Sequence, residues 1–203
     1  MNNVKSVDRE LSPEKREAIL QGAMQEFLEH GYAGARIDKI VAAAGVSKAT
    51  LYRHFADKEA LFTALIQRLG GKANLLQQHD FPSLQEESAV FLKQVAIRIL
   101  DNAAQNPQEL ALFRMIIGES ERFPALAQAF VEKIEKPNLD FLTQYFATHP
   151  QLQPADPEVS ARAFLGTLLH FLMQRNLFHG EAIVPMERDR LIDGLLALLI
   201  RKH

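Results

Sequence analysis

Along this chain apolar positions recur at intervals of three and four, and nowhere do they alternate with polar ones as a half-buried strand requires. The spacing predicts helices throughout. The first starts at Ser12-Pro13-Glu14, where a hydroxyl cap, a proline at the first turn and an acid at the positive dipole end coincide, and it buries Ile19, Ala23 and Phe27 beside Leu20, Met24 and Leu28 before Gly31. Two short helices follow, one with Ile37, Ile40, Val41 and Ala44 on one stripe, the other from Ser47 to Phe55. Asp57 is the predicted cap of the next, whose Leu61, Leu65 and Leu69 face inward as far as Gly70-Gly71. Ser83-Leu84-Gln85-Glu86 reads as a capping box ahead of a helix carrying Phe91, Val95 and Ile99 that ends near Asn106-Pro107. Beyond it the pattern predicts helices over 108–120, 124–134, 137–148, 157–178 and 187–201, most with a proline near the start. The expected fold is all-α.

Between the two short helices, Gly45 can take positive φ without a Cβ clash and lets the backbone turn sharply into Val46, whose side chain plugs the corner. Ser47 restarts the helix as an N-cap, accepting from the amide of Ala49 or Thr50, worth about 1 kcal/mol over alanine. Leu51 and Phe55 then point inward, leaving Lys48, Ala49, Thr50, Tyr52, Arg53 and His54 outward with no acid among them. A surface of donors without carboxylates suits phosphates and base edges together, so the unit reads as a helix-turn-helix for DNA. Short amphipathic helices after a Gly-Val corner also occur in plain bundles.

Composition narrows the alternatives. The 203 residues suffice for one large or two small domains, and 47% apolar content supports a core. With no cysteine, disulfides and thiolate metal sites are excluded, which suits a reducing cytosol and makes a cytoplasmic location the expectation. Residues 1–16 show no apolar signal segment, and the most apolar window, Phe164 to Met173, is about half a membrane span. The net charge of −2 is weakly divided: residues 1–58 hold 9 basic against 8 acidic residues, the remainder 14 against 17. Ser12 and Lys15 match a Ser-x-x-Lys nucleophile pattern, but no companion motif accompanies them, nor does any phosphate loop or carboxylate pair, so no catalytic residue is assigned. His170 and His179 fall on opposite sides of a helix, and neither a metal nor a cofactor is expected.

The last two helices carry apolar residues on more than one face, Phe164, Leu168, Phe171 and Leu172 on one and Leu191, Leu195 and Leu198 on the other. A helix apolar all round must be covered all round. These seven residues are therefore the expected interface of a symmetric homodimer, with Gly166 allowing close approach. A fully central helix in a monomer is the alternative.

Gly31-Tyr32, Ile37-Asp38, the run Ala44-Gly45-Val46-Ser47-Lys48-Ala49-Thr50-Leu51-Tyr52-Arg53-His54-Phe55 and Asp57-Lys58-Glu59-Ala60-Leu61 together resemble the TetR family of bacterial transcriptional regulators over about residues 13–73. Phe113-Arg114, Glu119 and Arg122-Phe123-Pro124 look like the family's AefR-like branch. The resemblance implies a three-helix DNA-binding head over 13–73, its helix-turn-helix at 36–55, and an effector-binding and dimerisation domain over 74–203. It implies that Ser47, Lys48, Ala49, Thr50, Tyr52, Arg53 and His54 belong to the DNA-facing element and that Lys58 holds a phosphate at the start of the next helix. Ala35 and Arg36 stand where the family usually has Thr or Ser, so a hydroxyl cap is missing and Arg36 itself reaches for a phosphate or stays solvated.

The expected function is a repressor that binds a palindromic operator as a homodimer and is released by a small apolar or amphipathic effector. Phe91, Phe113, Met115, Phe123, Phe130, Phe141 and Phe146 are the candidate apolar wall of the effector pocket, with plain core as the alternative for residues at helical spacing, and Arg98, Arg114, Gln174 and Arg175 are the candidate polar contacts. The alternative is a DNA-binding regulator or DNA-organising protein without a small-molecule ligand.

Overall fold

The computed structural model describes residues 12–73, 87–152 and 154–200, with the side chains of 70–73 set aside. Within them the elements are α1 (Pro13–Gly34), α2 (Ile37–Ala44), α3 (Lys48–His54), α4 (Lys58–Ala73), α5 (Ser88–Gln105), α6 (Pro107–Glu119), α7 (Pro124–Phe130), α8 (Lys136–Thr148), α9 (Pro157–Leu172) and α10 (Arg188–Leu199). The fold is all-helical among the described residues. The capping box at 83–86 lies outside the described residues; α5 begins at Ser88 with Glu87 as an N-cap that makes no side-chain bond.

The caps that position the head are local and follow from residue type. Ser12 accepts from the Lys15 amide, and Asp57 accepts from the Ala60 amide at 2.7 Å. α1 turns aside at Gly31 (φ 69°, ψ 172°), where the predicted end of the helix falls, and one more turn follows the kink. Gly22 is the tightest of the head's described glycines: a Cβ there would lie 3.0 Å from the Ile40 carbonyl oxygen and 3.3 Å from the Ala44 amide nitrogen, so a side chain would have to push the α2 backbone back by a few tenths of an ångström.

The expectation of a break between residues 134 and 137 is not met. α7 runs through a π turn at Val131–Glu135 directly into α8, with helical dihedrals at every join. Pro137 has no amide to donate, and the wider turn, in which the Lys136 amide reaches back to Val131, lets the chain pass it without breaking. A second π turn, Met173–Leu177, extends α9.

Two apolar clusters hold the molecule. One combines Ile19, Phe27, Ile40, Leu51, Phe55, Phe62 and Leu65 of the head with Leu112 and Ile116 of α6 and Leu126 and Ala129 of α7. The other joins α5, α8, α9 and α10 through Phe91, Val95, Leu142, Phe146, Phe164, Leu168 and Ile192. α6 and α7 therefore belong in packing terms with the head.

Candidate nucleic-acid interface and effector cavity

Gly45 adopts the left-handed conformation (φ 64°, ψ 32°) that ends α2, and its amide reaches the carbonyls of Ala42 and Val41. Ser47 accepts from the Thr50 amide at 3.1 Å, and its hydroxyl meets that of Thr50 at 2.9 Å. Leu51 has no exposed surface and Phe55 almost none, while Val46 and Val41 pack half-buried against the same cluster. Turn, cap and apolar anchors thus fix α3 on the head, and the residues between the anchors face outward.

Ser47, Lys48, Ala49, Tyr52 and Arg53 are exposed, with half of Tyr52 accessible. Lys48 meets Asp38 of α2 at 2.6 Å, a contact that lowers the carboxyl's pKa and raises the ammonium's through the hydrogen bond between them. Arg36 is exposed at the start of α2 with no capping bond from its side chain; its amide donates to Glu26 at 3.0 Å. Thr50 is half-buried in the cap.

Two residues sit differently from the reading above. His54 is half-buried, its Nε2 enclosed without a partner beside the Phe55 ring, and burial followed by the charge of Arg53 pushes its pKa down. It therefore faces the head's interior rather than outward. Lys58 turns its ammonium onto the carbonyls of Tyr32 (2.8 Å), Ala35 (3.2 Å) and Ala33 (3.3 Å) and over the Tyr32 ring, closing the frayed end of α1. Tyr32 in turn packs edge-on against Phe62 and, at 4.8 Å, against Phe123 of the α6–α7 turn.

Sequence reasoning missed cations contributed by α1. Arg16 lies over the Phe55 ring at 5.6 Å, and the charges of Arg16 and Lys15 both reach His54, so the start of α1 adds positive charge along the edge of α3. Their adjacency in the first turn of the helix, directly after Glu14, was the available signal.

In the body, α5, α6, the α7–α8 run and α9 line a half-open cavity of about 380 Å³, within the usual range for small-molecule sites. Of the expected pocket residues, Phe113 and Phe130 stand in its wall, joined by Ile134, Leu139, Leu165 and Leu169. Phe91 is wholly buried in the body cluster, Phe141 lines a separate recess with Tyr145 and His149, and Gln174 lies beside another near Met186. Arg114 donates to the Asn176 carbonyl, and Arg98 is half-buried on α5 outside the cavity wall. The aromatic composition was legible; which aromatics converge depends on how α6 crosses α7, which periodicity does not encode.

The expected dimer residues also divide. Phe164 and Leu168 are completely buried and Phe171 and Leu195 nearly so, all in the chain's own core, which removes them from an interface. Leu172 and Leu191 are half-buried, and Leu172 lines the cavity; Leu198 is 84% exposed. α9 is apolar on two sides because one faces the core and the next forms the cavity wall. What remains outward beyond the cavity wall is Val159, Ala163 and His170, alongside Arg190, Gly194, Ala197 and Leu198 of α10, while the exposed Gly166 stands in the wall itself.

This architecture coincides with known proteins over both halves. The family of bacterial regulatory proteins of the tetR type matches residues 19–65, and the C-terminal domain of AefR-like transcriptional repressors matches residues 91–201. The chain belongs to the TetR family. Its head is 48% identical over 50 residues to the transcriptional repressor AcnR of Corynebacterium efficiens, a match that spans 25% of this chain and 27% of that relative. Among solved structures, a TetR-family regulator of Mesorhizobium loti superposes with a TM-score of 0.72 at 26% identity, covering 94% of this chain and all of that one. The flavonoid-responsive regulator FrrA superposes with a TM-score of 0.72 at 28% identity, covering 92% and 93%. The family's members are regulators, and no helix among the described residues is long and apolar enough to cross a membrane. No group of three or more potential metal ligands occurs among the described residues.

Proposed function

We propose that the protein is a ligand-responsive transcriptional repressor that binds a near-palindromic operator as a homodimer. The observation that carries this reading is α3 itself, capped by Ser47, anchored by Leu51 and Phe55, and presenting Lys48, Ala49, Tyr52 and Arg53 to solvent without an acid of its own. One short helix makes too few contacts to specify a site. Two related by a two-fold axis read half-sites about 34 Å apart, one turn of DNA.

The outward faces of α9 and α10 are the proposed dimer surface. A Cβ at Gly194 would meet nothing within 4 Å, so the chain's own packing does not require glycine there; the same holds at Gly166, which also lines the cavity. Glycine in a helix interior costs about 1 kcal/mol relative to alanine. Close approach of a second copy across these positions, with Leu198 covered at its edge, accounts for their size.

Coupling between the cavity and the head follows from shared walls. Phe130 and Ile134 line the cavity and also pack against the head cluster, and α6 carries Phe113 in the cavity wall while burying Leu112 and Ile116 among head residues. The helix that starts at Lys58 packs against α7 and the π turn that holds Ile134. A ligand that favours the misaligned arrangement of the two heads by tenfold shifts the equilibrium by about 1.4 kcal/mol. FrrA is named for its response to flavonoids, and the cavity supports an analogous response here over the ligand-free alternative, for which a solid body would be expected.

Selection of genomic fragments by the purified protein, followed by sequencing, tests the proposal. Enrichment of fragments sharing an inverted repeat is expected; enrichment without any shared motif, or none at all, counts against a sequence-reading repressor.

A further inference from the structure

The mouth of the cavity and the outward strip of α9 meet at one residue. Where α9 forms the wall, Arg162, Gly166 and Leu169 are exposed, a strip at spacings of four and three, and Glu135 at the end of the first π turn is exposed as well. The wall residues of α5 and α6, among them Asn102, Leu110 and Phe113, are buried or half-buried, so the cavity opens between that π turn and α9. Gly166 stands one turn from Arg162 on the wall and one turn from Ala163 and His170 on the outward strip, and a Cβ there would meet nothing of its own chain within 4 Å. The helix therefore sets no side chain between the mouth and the strip. That strip, with Gly194, Ala197 and Leu198 of α10, is the surface proposed above for a second copy, and it is too small to serve alone. Helices of 16 and 12 residues are about 24 and 18 Å long and about 10 Å wide, a joint footprint of about 400 Å², whereas a stable interface buries about 800 Å² on each partner. A partner seated there has to spread past the edges, and on the Gly166 side the next surface is the mouth, where the apolar Leu169 is 41% exposed.

We propose that the effector site is built from two chains: in the dimer a second copy of this chain lies across the mouth bounded by Glu135, Arg162, Gly166 and Leu169 and closes the cavity. This rests on the ligand-responsive homodimer read above and adds to it. A two-fold interface makes the same contact twice, so each chain closes the other's cavity. An apolar ligand gains from the closure, because an open side leaves part of its surface in water. A ligand held there touches both copies. It then bears on how the two heads are set relative to each other directly, as well as through α6 and α7 of its own chain.

The test is uptake of the neutral fluorophore N-phenyl-1-naphthylamine by the full chain and by the double variant Gly194→Arg/Leu198→Arg, which changes no residue of the cavity wall. The unmodified dimer is expected to take it up, and the monomeric variant, with its helical circular dichroism intact, to bind it at least tenfold more weakly. Equal uptake by a folded monomer overturns the proposal, since one chain then makes the whole site. A double variant that stays dimeric overturns it too, since the interface then lies away from the mouth. No uptake by the unmodified protein overturns instead the ligand-responsive reading, and sedimentation of the unmodified chain as a monomer overturns the homodimer reading. Labelling decides the same question with α10 unaltered. The chain has no cysteine, so Arg162→Cys and Ala147→Cys each carry a single thiol, one at the mouth and one at an exposed position of α8. Fluorescein maleimide is expected to react at least tenfold more slowly with the thiol at the mouth than with the one on α8; equal rates overturn the covering of the mouth by a second copy.

Discussion

Tyr52 stands half-exposed on α3, and Lys48 stands at its start, paired across the turn with Asp38. An exposed pair of this kind contributes little stability, so a phosphate can take the ammonium over at small cost. Tyr52→Ala is expected to weaken binding to the selected operator by about 1–3 kcal/mol, and Lys48→Ala to weaken binding to all sequences alike and reduce the salt slope by about 1, both with the oligomeric state unchanged in sedimentation. His54 makes a different prediction. Its pKa is depressed below 6.5 by burial, so the unfolded chain takes the proton first: the stability it leaves intact above that value is lost as pH falls through it. Thermal unfolding is expected to show a drop between pH 7.5 and 5.5 that is smaller in His54→Phe; an equal drop in both assigns the loss to other groups. The Ser47 cap was legible in sequence because its partners lie three residues away. The burial of His54 and the anchoring of Lys58 were not, because the groups that enclose them come from α1, from 20 to about 40 residues away in the chain.

At the scale of elements, helices were readable wherever a cap and an apolar stripe agreed. α2, the Gly45 turn, α3 and the start of α4 at Asp57 fall where residue type places them. Proline misled once: Pro137 reads as a helix start, whereas the π turn before it carries one continuous run from α7 to α8. Periodicity also could not reveal why Gly22 is glycine. That reason lies in α2, whose Ile40 carbonyl and Ala44 amide stand closer to a Cβ at this place than ordinary van der Waals contact allows. Gly22→Ala is expected to destabilise the protein by about 1–3 kcal/mol in denaturant unfolding although alanine is the better helix former, because backbone atoms cannot be repacked around it. A neutral or stabilising result would mean that α1 and α2 are not held this closely.

For the whole molecule, the apolar surplus of α9 and α10 indicated that something beyond a single core had to be covered, and the structure divides that surplus between the core, a cavity and an outward face. Sequence alone merges the three because each uses the same residue types on one helix. The proposed dimer depends on the small outward residues: Gly194→Arg combined with Leu198→Arg is expected to yield a folded monomer with operator affinity reduced at least a hundredfold, since each half-site must then be bound without its neighbour. A double variant that remains dimeric would move the interface elsewhere. The central claim, that two copies of α3 are presented together to one duplex, is tested most directly by sedimentation of the purified chain with its selected duplex over a range of salt. Two chains per site, or a multiple of two, with affinity falling steeply as salt rises, is the result this account predicts; a single chain per duplex, or an affinity indifferent to salt, contradicts it.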